Sequence, residues 1–278
     1  MKRLIIILLI LFWGEYIFAQ SSPCWLRYPS LSPDGKTIVF TYNGDLYTVA
    51  ARGGAAVQLT ANPAEEWMPV WSHNSSSISF ASDRYGNADI FLVPAKGGTE
   101  KQLTFHSADE YPYDFSEDDQ QVIFGGLRMD AVNNRQFPSD AQPELYRVSV
   151  NGGRVMQLLA VPAEDAKLKG PFIVYHDKKN RENPWRKHQV SAAARDIWLY
   201  DTQNDTYKQL TDFLGEDRSP VFTDKGKSIS YLSEESGSFN VHRLWPGRPG
   251  ASEQLTAFKQ FPVRFFECIP QWDTVLRF

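Results

Sequence analysis

The tripeptide Gln-Leu-Thr recurs at Gln58-Leu59-Thr60, Gln102-Leu103-Thr104, Gln209-Leu210-Thr211 and Gln254-Leu255-Thr256, with a degenerate copy at Gln157-Leu158-Leu159. Successive glutamines are 44, 55, 52 and 45 residues apart. Repeats of about 40–50 residues that each hold several short strands are the pattern of propeller blades. A β-sandwich has no reason to carry so long and regular a period.

Each unit follows one grammar. The first runs from Tyr28-Pro29-Ser30-Leu31-Ser32 through Pro33-Asp34-Gly35-Lys36 to Thr37-Ile38-Val39-Phe40, then Asn43-Gly44, Asp45-Leu46-Tyr47-Thr48-Val49, Arg52-Gly53-Gly54 and Val57-Gln58-Leu59-Thr60. Asp34-Gly35, Asn43-Gly44 and Gly53-Gly54 are tight-turn dipeptides, and three turns separate four strands. Later units match through Ser77-Ile78-Ser79-Phe80 and Asp89-Ile90-Phe91, through Val122-Ile123-Phe124 and Leu145-Tyr146, and through Ile229-Ser230-Tyr231. In Asp45–Val49, Tyr47 and Val49 share one face and Leu46 the other, so both faces are apolar and need covering. One blade cannot bury that surface, whereas stacked blades can. The reading is an all-β chain: four-stranded antiparallel blades at approximately 25–61, 62–106, 107–161, 162–213 and 214–258, with a sixth opening at 259–266.

Composition agrees and excludes some functions. Aromatic residues make up 14% of the chain and suit strands. A net charge of −4 and a pI near 5.8 argue against a dedicated nucleic-acid binder, which would need a basic face to replace phosphate counterions. Lys2 and Arg3 ahead of the apolar run Leu4–Trp13, with Ile17-Phe18-Ala19 before Gln20, read as a secretory signal over residues 1–19. Cleavage after Ala19 leaves 259 residues with net charge −5 and no membrane span, in the periplasm or outside the cell. Cys24 and Cys268 stand at opposite ends; an oxidising compartment would permit a pair, but nothing local supports one, and two unrelated thiols is the favoured reading.

The period breaks at the end of the chain. Phe261–Phe266 opens a sixth blade, yet residues 267–278 fit no blade position. Read one nucleotide later, the codons open to this tail permit Ser-Val-Ser-Pro-Asn-Gly, and Trp272 followed by Asp273 forces the glycine. The hypothesis that follows is a frameshift after Phe266, which DNA sequence beyond that point would test.

The Ser-Pro-Asp-Gly-Lys turn, the Asp-Leu-Tyr strand and the closing Gln-Leu-Thr resemble the blade repeat of TolB-like and tricorn-protease propellers. The fourth unit narrows this: Glu182-Asn183-Pro184-Trp185-Arg186-Lys187-His188 and Arg195-Asp196-Ile197-Trp198-Leu199-Tyr200-Asp201 are similar to a segment of bacterial tricorn-like serine peptidases. The resemblance implies the six-bladed, N-terminal, non-catalytic propeller of an exported peptidase, gating peptides or unfolded segments toward peptidase domains of the parent protein. The alternative is a stand-alone TolB-like protein-binding propeller, and a possible homo-oligomer would close an incomplete ring.

Two sets of residues are candidates for binding. Acid pairs recur in register at Glu65-Glu66, Asp109-Glu110 and Glu216-Asp217. Gathered at one mouth of a channel they form an acidic rim for basic peptide termini or a cation; as structural groups they cap blade-to-blade turns. Lys178, Lys179, Arg181, Arg186, Lys187, His188 and Arg195 make the insertion in the fourth unit basic. It reads as a carboxylate or domain-docking site, with Trp185, Arg186 and His188 foremost, or as a solvated loop. No catalytic residue, metal set or cofactor is expected: His73, His106, His176, His188 and His242 lie in scattered units, and no Gly-x-Ser-x-Gly elbow occurs.

Overall fold

The structure, a computed structural model, describes residues 25–128, 142–179, 190–248, 250–260, 262–269 and 274–277, with side chains as far as Phe266. Five four-stranded antiparallel sheets follow one another along the chain. Blade 1 is β1 (Arg27–Leu31), β2 (Thr37–Tyr42), β3 (Asp45–Ala50) and β4 (Val57–Gln58). Blade 2 is β5 (Glu66–Trp71), β6 (Ser77–Ser82), β7 (Asp89–Pro94) and β8 (Lys101–Gln102). Blade 3 is β9 (Glu110–Phe115), β10 (Gln121–Gly126), β11 (Glu144–Ser149) and β12 (Met156–Leu159). Blade 4 is β13 (Ala163–Lys169), β14 (Phe172–Asp177), β15 (Ile197–Asp201) and β16 (Thr206–Gln209). Blade 5 is β17 (Asp217–Thr223), β18 (Ser228–Ser233), β19 (Asn240–Leu244) and β20 (Ser252–Gln254), with a single 3-10 turn at Asp224–Gly226. The all-β propeller read from the repeat is therefore the observed fold.

Among the described residues the core is divided into separate clusters between successive blades. Leu46 and Val39 of blade 1 pack against Ile78, Phe80, Phe91 and Val93 of blade 2. Ile90 then meets Phe124 and Tyr146 of blade 3, Leu145 meets Ile173 and Tyr175 of blade 4, and Ile197 meets Ile229 and Tyr231 of blade 5. The third strand thus gives one face to each neighbour. Burying a side chain of this size contributes about 1.5–3 kcal/mol, and an isolated blade would forfeit that on both faces.

The sixth position is filled by a hairpin, β21 (Phe266–Ile269) with β22 (Thr274–Arg277). The segment leading into it covers the outward face of blade 5, where Val263 and Phe266 pack on Leu232 and Val241. Phe265 meets Tyr28 of blade 1 edge-on at 5.5 Å. The sequence-based opening at 259–266 and the observed strand overlap only at Phe266, because Pro262–Phe265 run as coil. Cover on the blade 1 side is partial. Phe40 and Tyr47 are half-buried and Tyr42 is exposed, whereas Phe80 and Phe91, the counterparts of the first two, are 0% and 2% exposed.

The first strand of every blade is kinked where it lines the axis. Tyr28, Met68, Asp165 and Ser219 hold φ of 49, 54, 50 and 53° at the same place in β1, β5, β13 and β17, each inside a β-bulge. Blade 3 carries Pro112 there, whose ring forbids positive φ, and its bulge instead leaves Tyr113 unpaired in the ladder. Tyr113 lies against Gly125, where an added Cβ would come within 2.5 Å of the ring. Gly125→Ala is expected to lower stability by about 1–3 kcal/mol through overpacking, read as a reduced denaturant midpoint; an unchanged midpoint would contradict the close approach.

Candidate functional site

The recurring Gln-Leu-Thr forms the joint between blades. Thr60 Oγ1 accepts the Leu46 N–H at 2.9 Å and donates to the Glu66 carboxylate of the next blade. Thr104, Thr211 and Thr256 accept from Ile90, Ile197 and Val241, each at 2.9 Å. The glutamine reaches across the sheet: Gln58, Gln102, Gln157 and Gln209 donate to Asp45, Asp89, Glu144 and Asp196 at 2.9, 3.0, 2.7 and 3.1 Å. The motif therefore ties the fourth strand to the third and to the blade that follows.

The structure divides the six residues of the acid pairs. Glu65 and Asp109 are exposed; Asp109 accepts the Ala88 N–H at 2.9 Å, and the Glu65 N–H donates to Asp83 at 2.9 Å. Glu66, Glu110, Glu216 and Asp217 are buried. Glu66 is paired with Arg84, whose guanidinium lies 4.2 Å from the Phe91 ring centre. Glu110 is paired with Arg128 at 2.6 Å, and that guanidinium lies 5.6 Å from the Tyr146 ring centre. Burial pushes the Glu66 carboxyl up to about 7 despite the Thr60 hydroxyl and Arg84, and raises Glu110 likewise. Glu216 pairs with Arg195 at 2.6 Å. Among the described residues no cation pairs with Asp217, and burial takes it up to about 7, with the Ser233 and Thr211 hydroxyls opposing the rise.

A cavity of about 560 Å³ runs along the axis, lined by the first strands of all five blades and by Arg264 and Phe265. None of the six paired acids lines it. Its charged groups come from the residues that follow them in register: Glu164 and Asp165 in β13, Arg218 in β17, and Arg264, with Lys167, His176 and Arg195 beside them. Glu164 is the hub, bound by Arg195 at 3.2 Å, His176 at 3.3 Å and Lys178 at 3.3 Å. Burial alone would raise its pKa, but these three cationic or donor groups hold it well below the usual carboxylate range. Arg218 lies 4.2 Å from the Phe239 ring centre, with burial lowering its pKa and Glu216 opposing. Arg264 is exposed to the cavity. Tyr28, Tyr111 and Met68 form the opposite, less charged wall.

Ser219, His176, Asp165 and Glu164 meet in this cavity, but not as a nucleophilic set. Ser219 Oγ donates to Asp165 at 2.8 Å, and His176 Nδ1 accepts the Ser219 N–H at 3.2 Å, so the imidazole lone pair faces the backbone. Its Nε2 faces Glu164. The positive φ of Ser219 belongs to the bulge shared by three other blades rather than to a nucleophile elbow.

The basic insertion is described only at its flanks. Lys179 pairs with Asp196 at 2.6 Å and Lys178 with Glu164, which pins one end of the loop to the blade. Trp185, Arg186 and His188, with Arg181 and Lys187, lie outside the described residues. Sequence reasoning missed the channel charges because it followed the recurring pairs. The second position of the innermost stretch (Tyr111, Glu164, Arg218 and Arg264) carried the signal, since it lines the cavity while the residue before it (Glu110, Ala163, Asp217 and Val263) is buried.

The fold and its lined axis define a β-propeller whose polar chemistry lies in its channel and blade joints. Residues 23–271 match the family described as the tricorn protease N-terminal beta propeller domain, and the chain belongs to that family. The crystal structure of the tricorn protease superposes with a TM-score of 0.73 at 17% identity, over 91% of this chain and 26% of that one. A TolB structure from Agrobacterium tumefaciens gives 0.67 at 17% identity, over 84% and 80%. The Tol-Pal system protein TolB of Helicobacter pylori is 37% identical over 60 residues, 22% of this chain and only 14% of that protein. Among the described residues no helix is long and apolar enough to cross a membrane.

Asp217 yields a pH prediction. Its carboxyl binds a proton more tightly folded than unfolded, so its contribution favours folding at low pH and is lost as pH rises from about 4 through about 7. Asp217→Asn should remove that part of the pH dependence and raise the unfolding temperature above pH 7. Parallel melting profiles of both proteins between pH 5 and pH 8 would contradict it.

Proposed function

We propose that this propeller is the non-catalytic, peptide-gating module of an exported tricorn-like serine peptidase, receiving peptides or unfolded segments in its axial channel. The observation that carries the reading is the composition of the cavity wall. Glu164, Arg195, Arg218 and Arg264 offer charges of both signs, and Tyr28 and Tyr111 offer aromatic faces. Such a wall suits an extended chain, which presents backbone donors and acceptors along its whole length and side chains of every kind. The peptidase chemistry would belong to other domains of the parent protein, reached after export directed by residues 1–19 and cleavage after Ala19. Trp185, Arg186 and His188 would contribute to docking a carboxylate or a neighbouring domain, and Glu65 and Asp109 would be what an acidic rim retains in solvent.

A second reading, a stand-alone TolB-like propeller acting through a protein partner, is favoured by the 37% identity to TolB over 60 residues. The readings differ in what binds. Gating predicts weak binding of many unrelated unfolded peptides, whereas the TolB-like role predicts one folded partner at fixed stoichiometry. Sedimentation would report whether copies of this chain also associate.

The purified chain should hydrolyse no fluorogenic peptide, and turnover would refute the non-catalytic assignment. Labelled unfolded peptides should bind with an anisotropy change, and Arg218→Glu with Arg264→Glu should weaken acidic peptides by about tenfold or more through charge reversal. Unchanged binding in that variant would remove the channel from the account.

A further inference from the structure

The joint that opens blade 5 departs from those that open blades 2 and 3 at one position. In blade 2 the second strand ends at Ser82, opposite Glu66, and Arg84 follows two residues later. Blade 3 repeats this with Gly126 opposite Glu110 and Arg128 two residues on. Each arginine neutralises the buried acid while lying over a paired set of rings, Phe80 with Phe91 or Phe124 with Tyr146. In blade 5 Ser233 stands opposite Asp217, but two residues on the chain carries Glu235. The rings are still there, since Tyr231 pairs with His242 as Phe80 does with Phe91.

The acid and the aromatic platform are therefore retained, and the guanidinium is replaced by a second carboxylate. A cleft of about 480 Å³ opens at this place, lined by Asp217, Tyr231, Glu235 and Trp245. Asp217 is 1% exposed and its Oδ1 has no hydrogen-bond partner. His242 is 4% exposed, its Nε2 is likewise without one, and its Nδ1 lies 4.0 Å from the Glu235 carboxylate. Leaving a buried carboxylate oxygen unsatisfied costs free energy that a bound cation would recover. Of the described cations lining the cleft, Lys208 donates to the Pro246 carbonyl at 2.7 Å, and Arg248 is exposed and makes no ion pair with Asp217 or Glu235. Among the described residues no group of three acidic, histidine or cysteine side chains is arranged to hold a metal ion.

We propose that the joint between blades 4 and 5 is a guanidinium socket, which takes from another polypeptide the arginine side chain that blades 2 and 3 supply internally. A guanidinium fits better than an ammonium group. It stacks flat on Tyr231 and His242 and donates in-plane to both carboxylates, as Arg84 bridges Glu66 and Glu100. The proposal does not depend on the channel function, since this cleft lies between blades, away from the axial cavity.

The test uses end-capped Gly-Arg-Gly, its citrulline and lysine counterparts and free arginine, titrated into the full chain by calorimetry and by tryptophan fluorescence reporting on Trp245. The arginine peptide should bind, and citrulline should be weaker by about tenfold or more for want of charge. Free arginine binding as well as the peptide would identify a small-molecule source of the same group. Glu235→Arg should fill the socket from within, abolishing peptide binding and raising the unfolding temperature. Asp217→Asn should abolish binding while preserving the strand signature in circular dichroism. Equal binding of arginine and citrulline peptides, or binding unaffected by both substitutions, would overturn the proposal. So would binding that emerges only in Arg248→Ala, because the chain would then fill its own socket.

Discussion

A threonine hydroxyl just beyond the fourth strand holds neighbouring blades of this propeller together. Thr60 takes the Leu46 N–H and gives its own proton to Glu66, tying two strands of one blade to the first strand of the next. The apolar faces supply the larger energy, but they are non-directional and would tolerate sliding of one sheet over another. The joint fixes the register, and it sets a buried acid at the head of blades 2, 3 and 5, whereas Ala163 opens blade 4 and Thr256 donates to Asn240 instead. That acid then needs a cation, which explains Arg84 and Arg128. Among the described residues no cation pairs with Asp217, and its Oδ1 is buried without a hydrogen-bond partner. Such violations of local consistency concentrate at functional sites.

The same innermost strand that presents its acid to the joint presents the next residue to the axis. A bulge with a residue at positive φ then turns the strand so that Tyr28, Met68, Asp165 and Ser219 face the cavity. Joint and channel are thus two outputs of one alternating strand. The Arg195 side chain links them, bridging Glu164 in the cavity wall to Glu216 at the head of blade 5.

The fold was legible because its signals are local and repeated. Asn43-Gly44 and Gly53-Gly54 place turns, the alternation in Asp45–Val49 places a sheet with two covered faces, and the recurrence of Gln-Leu-Thr counts the blades. The site was less legible, for two physical reasons. Acid pairs such as Glu65-Glu66 look alike in sequence, yet strand alternation sends one member to solvent and the other into a joint. The channel groups do not recur: Glu164, Arg218 and Arg264 occupy one structural position with different chemistry, so a search for repetition passes over them. The substitution of Glu235 for the arginine of other blades was visible in the sequence, but its meaning depends on the ring pair, which only the cross-strand register brings together.

The claim on which the rest stands is that Thr60 and Glu66 act as one coupled unit across the blade boundary. A double-mutant cycle of Thr60→Val, Glu66→Gln and the double variant, read by equilibrium denaturation, isolates that coupling. The account predicts an interaction energy of about 1–3 kcal/mol, the range expected for a buried hydrogen bond to a charged or strongly polar partner. Additive single substitutions would show that the joint carries no coupling, and that apolar packing alone sets the register of the blades.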